Sequence, residues 1–317
     1  MIGRNISPLR YPGGKVALFD VLRATIYANK AQGCTYVEPF AGGAGAGVKL
    51  LAEGHVDRII INDRDRAIYC FWKSVLNRTE AFIDRLMTVE LTITEWERQR
   101  EIYRNPGRRS QIDLGFAAFF LNRCNRSGII VKAGPIGGIE QKGKWKLDAR
   151  FNREGLAFRV RSIASFEDRV EVLGVDAEEL MRQLKRRARN ERLFAYADPP
   201  YYVKGQALYL NHYQDEDHKR FARLMCRSDR FPWVMTYDDV PRIRELYAGM
   251  NLRSFRLRYS AHHDSHEGSE LFISPPNVVL PPDIAQGLEC RKRNASVVDK
   301  MSEDRSASRT PLLADMR

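Results

Sequence analysis

Residues 34–54 read CTYVEPF, then AGGAGAG, then VKLLAEG. The apolar run at 34–40 predicts a short buried strand, the glycines turn the chain, and the apolar spacing that follows begins a helix. A strand, glycine loop and helix in succession open a parallel sheet with helices on its faces. Working outward, RIIIN at 58–62 predicts a second strand ending at Asp63. DRAIYCFWKSVL at 65–76 follows as a helix with apolar residues three and four apart. The expected fold class is α/β.

The alternation is interrupted from 78 to 150 by polar helix formers (ITEWERQREIYR, then QIDLGFAAFFLNRC) and the glycine-rich SGIIVKAGPIGGIEQKGKW. It resumes with VEVLGV at 170–175, RLFAYADPPYY at 192–202 and FPWVMTYDD at 231–239. The expected organisation is therefore a first catalytic part over 1–77, an insertion over 78–150, and a second part over 151–280. LRSFRLRYSA and SELFISPP should close the sheet as a β-hairpin, with HHDSHEG as its loop. The charged, serine-rich residues 281–317 lack periodicity and are expected to be disordered. Trp72, Phe116, Phe119 and Phe120 are helically spaced and assigned to cores.

A chain of 317 residues can bury a large core, and 44% hydrophobic content is that of a globular protein. No apolar run approaches the roughly 18 residues of a membrane span, and MIGRNISPLR is no signal peptide, so a cytoplasmic protein is expected. The five cysteines (Cys34, Cys70, Cys124, Cys226, Cys290) form no CxxC pair and are read as reduced thiols. A net charge of +12 fits nucleic acid but also an anionic membrane surface. His262, His263 and His266, with Asp264 and Glu267, match no metal-ligand spacing, and no metal is expected.

Three features carry chemistry. Gly42, Gly43, Gly45 and Gly47 clear side chains from a place where a ligand approaches backbone and a helix N-terminus. Asp63, about 20 residues downstream, stands where a carboxylate meets ribose hydroxyls, with helix capping as the alternative. Sharpest is Asp198-Pro199-Pro200-Tyr201, directly after LFAYA. Two prolines remove two N–H donors, leaving Asp198 and the Pro199 carbonyl as acceptors for the two hydrogens of an exocyclic amine. Tyr201 supplies a face for an extruded base.

Taken with SPLRYPGGK (7–15), YVEPFAGGAG (36–45), INDRDRAIYCFW (61–72), NRCNRSGI (122–129) and SELFIS (269–274), the sequence resembles the Dam-like (D12 class) DNA N6-adenine methyltransferases over residues 7–275. The resemblance implies a Rossmann-like sheet, S-adenosylmethionine as cofactor, and a target-recognition lobe in the insertion. It places Tyr11, Lys15, Glu38, Phe40, Gly42, Asp63 and Asp198 at the cofactor, with Asp176 bordering its adenine or merely capping a helix. Arg123, Asn125, Arg126 and Ser127 are expected at the DNA. The loop before SELFIS is a further candidate for backbone contact. One position departs: Ala44 stands at the second glycine of the family's F-x-G-x-G. The expected partner is double-stranded DNA, bound by a monomer, with a cognate restriction nuclease left open. N4-cytosine methylation and a catalytically silent DNA binder are the alternatives.

Overall fold

The computed structural model describes residues 6–10, 15–203, 213–258 and 267–282. Its centre is a seven-stranded sheet of β1 (Thr35–Glu38), β2 (Arg58–Asn62), β3 (Val170–Leu173), β4 (Leu193–Ala197), β5 (Trp233–Asp238), β6 (Asn251–Arg258) and β7 (Glu267–Ser274). The strands lie in the order β3-β2-β1-β4-β5-β7-β6. Pairs from β3 through β5 are parallel, whereas β7 runs antiparallel to both β5 and β6. The hairpin predicted from LRSFRLRYSA and SELFISPP is thus the closing edge; most of its loop lies outside the described residues.

Every residue of β1, β4 and β5 is buried, as expected of strands covered on both faces. Successive side chains point to opposite faces, so Tyr36, Ile59 and Ile61 join one apolar cluster, while Val37 and Ile60 join the other. The second cluster is filled from α8 (Ala177–Arg187) and α9 (Asp215–Cys226). The first is filled from α1 (Phe19–Ala28), α2 (Gly45–Ala52) and α3 (Arg66–Asn77).

The segment predicted as an insertion consists of α4 (Thr79–Thr88), α5 (Ile93–Arg104) and α6 (Gln111–Cys124), and leads into α7 (Arg153–Ala164). These helices share the first cluster with the sheet. From Leu114 to Cys124 every residue of α6 is buried. The helix crosses α3 so closely that a Cβ on Gly115 would stand 2.6 Å from the backbone of Cys70 and Phe71. Around the crossing Phe71 stacks on Phe119 at 6.0 Å, and Phe82 meets Phe116 edge-on at 5.4 Å. The aromatics assigned to cores, Trp72, Phe116, Phe119 and Phe120, are all fully buried. Among the described residues no helix is long and apolar enough to cross a membrane.

Candidate active site

The strand order reverses between β1 and β4, whose carboxyl ends lie side by side; a crevice at such a point is where ligands bind in open α/β sheets. Glu38 ends β1 there, buried, with Oε1 accepting the Gly47 N–H at 2.9 Å. Burial pushes its carboxyl up to about 8, against the pull of that N–H, and the Asp198 charge adds to the rise. Gly47 is required for this contact, because a Cβ would stand 3.0 Å from both Glu38 Oε1 and the Tyr36 ring.

The glycine loop keeps its turn despite the departure at Ala44. Gly42 and Ala44 both have positive φ, 47° and 43°, and Ala44 is the left-handed residue that opens α2. Ser7 Oγ donates to the Gly43 carbonyl at 2.6 Å and holds the loop from the N-terminal side. For Ala44→Gly, relief of about 1–2 kcal/mol of left-handed strain is offset by about 0.5–1 of chain entropy and about 0.8 for the lost methyl. Ala44→Gly should therefore shift stability by less than about 1 kcal/mol in either direction, while Ala46→Gly, inside α2, costs about 1.5 or more. Chemical denaturation of the two variants checks this contrast.

Asp63 follows β2 and reaches back to the glycine loop that follows β1. Its Oδ2 accepts the Gly42 N–H and its Oδ1 the Asp65 N–H, each at 2.9 Å. The capping alternative falls to Asp65, whose side chain accepts from Ala67 N at the start of α3. Burial, with the neighbouring Asp65 charge, raises Asp63 to about 7. Trp72 Nε1 donates to the Gly42 carbonyl at 2.9 Å, so the loop is gripped on both sides. Asn62 ties the carbonyls of Pro39 and Val175 together, joining the ends of β1 and β3. Asp176 caps α8 through Glu178 N.

Asp198 leaves the end of β4. Thr236 Oγ1 on β5 donates to its Oδ1 at 2.7 Å, and the Tyr196 hydroxyl lies 2.8 Å behind Thr236. Pro199, Pro200 and Tyr201 are buried. Asp238, at the end of β5, accepts the N–H groups of Tyr202 and Val203 at 2.9 and 2.8 Å. The chain beyond Tyr201 is thereby pinned to the neighbouring strand. Tyr201 lies against Tyr237, with centroids 6.4 Å apart. Phe40 packs edge-on against Tyr213 and Phe221 from the β1 side.

The expectations at NRCNRSG divide. Arg126 and Ser127 are exposed, and Ser127 has a positive φ of 56°. Arg123 and Asn125 are both buried and committed to internal bonds, so this conformation lends no support to their expected place at the DNA. Arg123 Nε donates to the Arg150 carbonyl at 2.8 Å, and Asn125 accepts Trp96 Nε1 at 2.7 Å while donating to Ile129 and Ile130 carbonyls. Burial, then the charges of Arg10 and Arg159, lower Arg123 to about 9. Tyr11 lies outside the described residues, as do the Lys15 side chain and His262, His263, Asp264 and His266.

Sequence reasoning missed the residues that hold these parts together: Thr236, Asp238, Asn62, Ser7 and Asn122. Asn122, fully buried, bonds both the N–H and the carbonyl of Arg10, at 2.6 and 2.8 Å, and the Gly128 carbonyl at 2.9 Å. Gly128 has no room for a side chain, since a Cβ would stand 2.1 Å from the Arg10 carbonyl. Asn122→Ala strands these groups and should cost about 2–4 kcal/mol in a denaturant melt. Thr236 and Asp238 had one legible signal, their place at the end of the strand predicted from FPWVMTYDD.

With this geometry in place, comparison with known proteins adds three findings. A family model described as D12 class N6 adenine-specific DNA methyltransferase matches residues 11–261. A solved SAM-dependent methyltransferase from Agrobacterium tumefaciens is similar at 11% identity and a TM-score of 0.36 over 83% of this chain, which spans 62% of that protein's length. No curated protein matches the sequence.

Proposed function

The chain belongs to the D12 class N6 adenine-specific DNA methyltransferases, and from that premise we propose that it transfers a methyl group from S-adenosylmethionine to the N6 amine of adenine in double-stranded DNA. The observation that carries this reading is the pairing at the switch point: Asp198, fixed by Thr236, stands at the end of β4 beside the buried Glu38 of β1.

The residues present suit the cofactor. S-adenosylmethionine carries a sulfonium and an ammonium, and the crevice offers Glu38, Asp63 and Asp198 as anionic partners. Gly47 keeps the floor clear, because any side chain there would push into Glu38. Glu38 and Asp198 would hold the cationic methionine part and Asp63 the ribose hydroxyls, with Phe40 and Gly42 as the wall beside them. Bound, the cofactor supplies a methyl carbon on positively charged sulfur.

The chain's own task is to present the nitrogen. Asp198 accepts one N6 hydrogen and the Pro199 carbonyl the other, so the nitrogen lone pair turns towards the methyl carbon while the base stacks on Tyr201. Asp198, already the acceptor of one N6 hydrogen, is the group placed to take the proton that the amine would lose on methylation. The Thr236 hydroxyl and the Asp238 carboxylate act earlier, by removing freedom from the acceptors before the base arrives.

Arg10, Arg123, Arg150 and Arg159 gather where the N-terminal segment meets α6 and α7, and burial, followed by their mutual repulsion, lowers Arg123 and Arg10. That concentration of positive charge beside the glycine loop favours a polyanion as substrate. Long-read modification sequencing of DNA from cells expressing the chain tests the reading. N6-methyladenine in a fixed sequence context is expected; N4-methylcytosine, or no mark, overturns it.

A further inference from the structure

Helix α5 belongs to the inserted segment, yet one of its polar bonds leaves it. Trp96 and Tyr103 stand seven residues apart, hence on one face, and both are buried in the first apolar cluster. Each ring carries one polar group, and a buried polar group needs a partner. Trp96 Nε1 finds Asn125, within the insertion. The Tyr103 hydroxyl instead donates to Asp65 Oδ2 at 2.5 Å, 38 positions back along the chain. Just past the helix, the Gly107 carbonyl accepts Arg66 Nη1 at 2.9 Å, so the end of α5 is fastened twice to the start of α3. Burial, then the Asp65 charge, raises the Tyr103 hydroxyl, which therefore stays protonated and remains the donor.

The start of α3 is also where the glycine loop is held. Asp65 Oδ1 caps the helix through Ala67 N at 2.8 Å. The Asp65 N–H donates to Asp63 Oδ1, and the other Asp63 oxygen accepts the Gly42 N–H. A run of hydrogen bonds thus leads from Tyr103 through Asp65 and Asp63 to the glycine loop. Both Asp65 oxygens are engaged, one by α3 and one by α5, so the aim of its N–H is fixed from two directions.

That aim matters for what Asp63 can do. An ionised carboxylate has about four acceptor sites, two on each oxygen. On Asp63 one site of each oxygen is taken by a backbone N–H. Among the described residues this leaves one on each oxygen, the pattern that suits two neighbouring hydroxyls, as a ribose presents them.

We infer that Tyr103 is a positioning residue for the cofactor: acting through Asp65, it holds the Asp63 carboxylate in the orientation that receives both ribose hydroxyls. It touches no ligand itself. The inference rests on the proposed role of Asp63 and extends the cofactor site to a residue of the insertion.

The test is calorimetric titration of the intact chain, without DNA, with two ligands: S-adenosylmethionine, and its analogue with hydrogen in place of both ribose hydroxyls. The parent should prefer the hydroxylated ligand by at least about tenfold, the low end for hydrogen bonds to a charged group. Tyr103→Phe keeps the ring in its cluster and removes only the hydroxyl. It should bind S-adenosylmethionine about fivefold more weakly and the analogue as tightly as the parent does, so the preference falls to about twofold. Unchanged affinity for the analogue also shows that the rest of the site is folded.

A preference kept in full by Tyr103→Phe overturns the inference and leaves Asp63 its ribose. Equal weakening towards both ligands overturns it too, because Tyr103 then serves the fold alone. A parent that binds S-adenosylmethionine without preferring the hydroxyls removes Asp63 from the ribose, and Tyr103 with it. A parent that binds neither ligand overturns the proposed function as well.

Discussion

Asp198→Ala is expected to abolish methyl transfer, with turnover down by about 1,000-fold or more, while the chain keeps its fold. Asp198 is the acceptor that fixes N6, and no neighbour can replace it: Thr236 Oγ1 donates into this position, and Asp238 is occupied by the N–H groups of Tyr202 and Val203. The side chain is only partly buried and leaves the end of β4 without entering either apolar cluster. Its loss should therefore leave the melting temperature close to that of the parent. The measurement is methyl incorporation into plasmid DNA beside a thermal melt of the same preparation. An active Asp198→Ala chain would sink the mechanism, and an inactive, unfolded one would move the residue's role from chemistry to structure.

Glu38→Gln should give the opposite combination, a more stable protein that binds its cofactor poorly. Burial lifts Glu38 to about 8, above its ordinary value of 4.5. A raised carboxyl favours the folded state most at low pH, and that contribution is lost as pH rises towards 8. Glutamine does not ionise, so the variant's advantage in melting temperature should grow from pH 5 to pH 8. A cationic ligand against Glu38 favours its ionised form, so binding by the parent near pH 7 should release a proton and strengthen as pH rises. The variant should lose both effects and bind S-adenosylmethionine at least about thirtyfold more weakly, the low end for removing one charge from a buried pair. Calorimetry in buffers of different ionisation enthalpy separates proton release from affinity. Unchanged affinity in Glu38→Gln would remove Glu38 from the cofactor site.

Much of this was legible along the chain. Period-two and uniformly apolar runs located the strands, and the glycine cluster and DPPY marked the ends of β1 and β4, because local chemistry writes itself locally. What escaped were residues whose role is set by distant partners. Asn122 drew no reading at the end of its helix and Arg123 was expected at the DNA, yet one pins Arg10 from 112 positions away and the other is folded inward onto Arg150. Nor could spacing separate Asp63 from Asp65 as the helix cap. The question was decided by which carboxylate the glycine loop reached.

The close crossing at Gly115 carries a last consequence, for how sequence specificity could be exchanged. A segment that shares its core with the sheet is not a cassette. Transplanting residues 78–150 from a relative would bring a foreign α6 against Cys70 and Phe71, where a single methyl has no space. The loop bounded by Pro135 and Leu147 is a smaller unit, closed on itself by the Gln141 side chain, which bonds the carbonyls of Ile136 and Gly138 and the Leu147 N–H. Exchange should be easier there than among the helices.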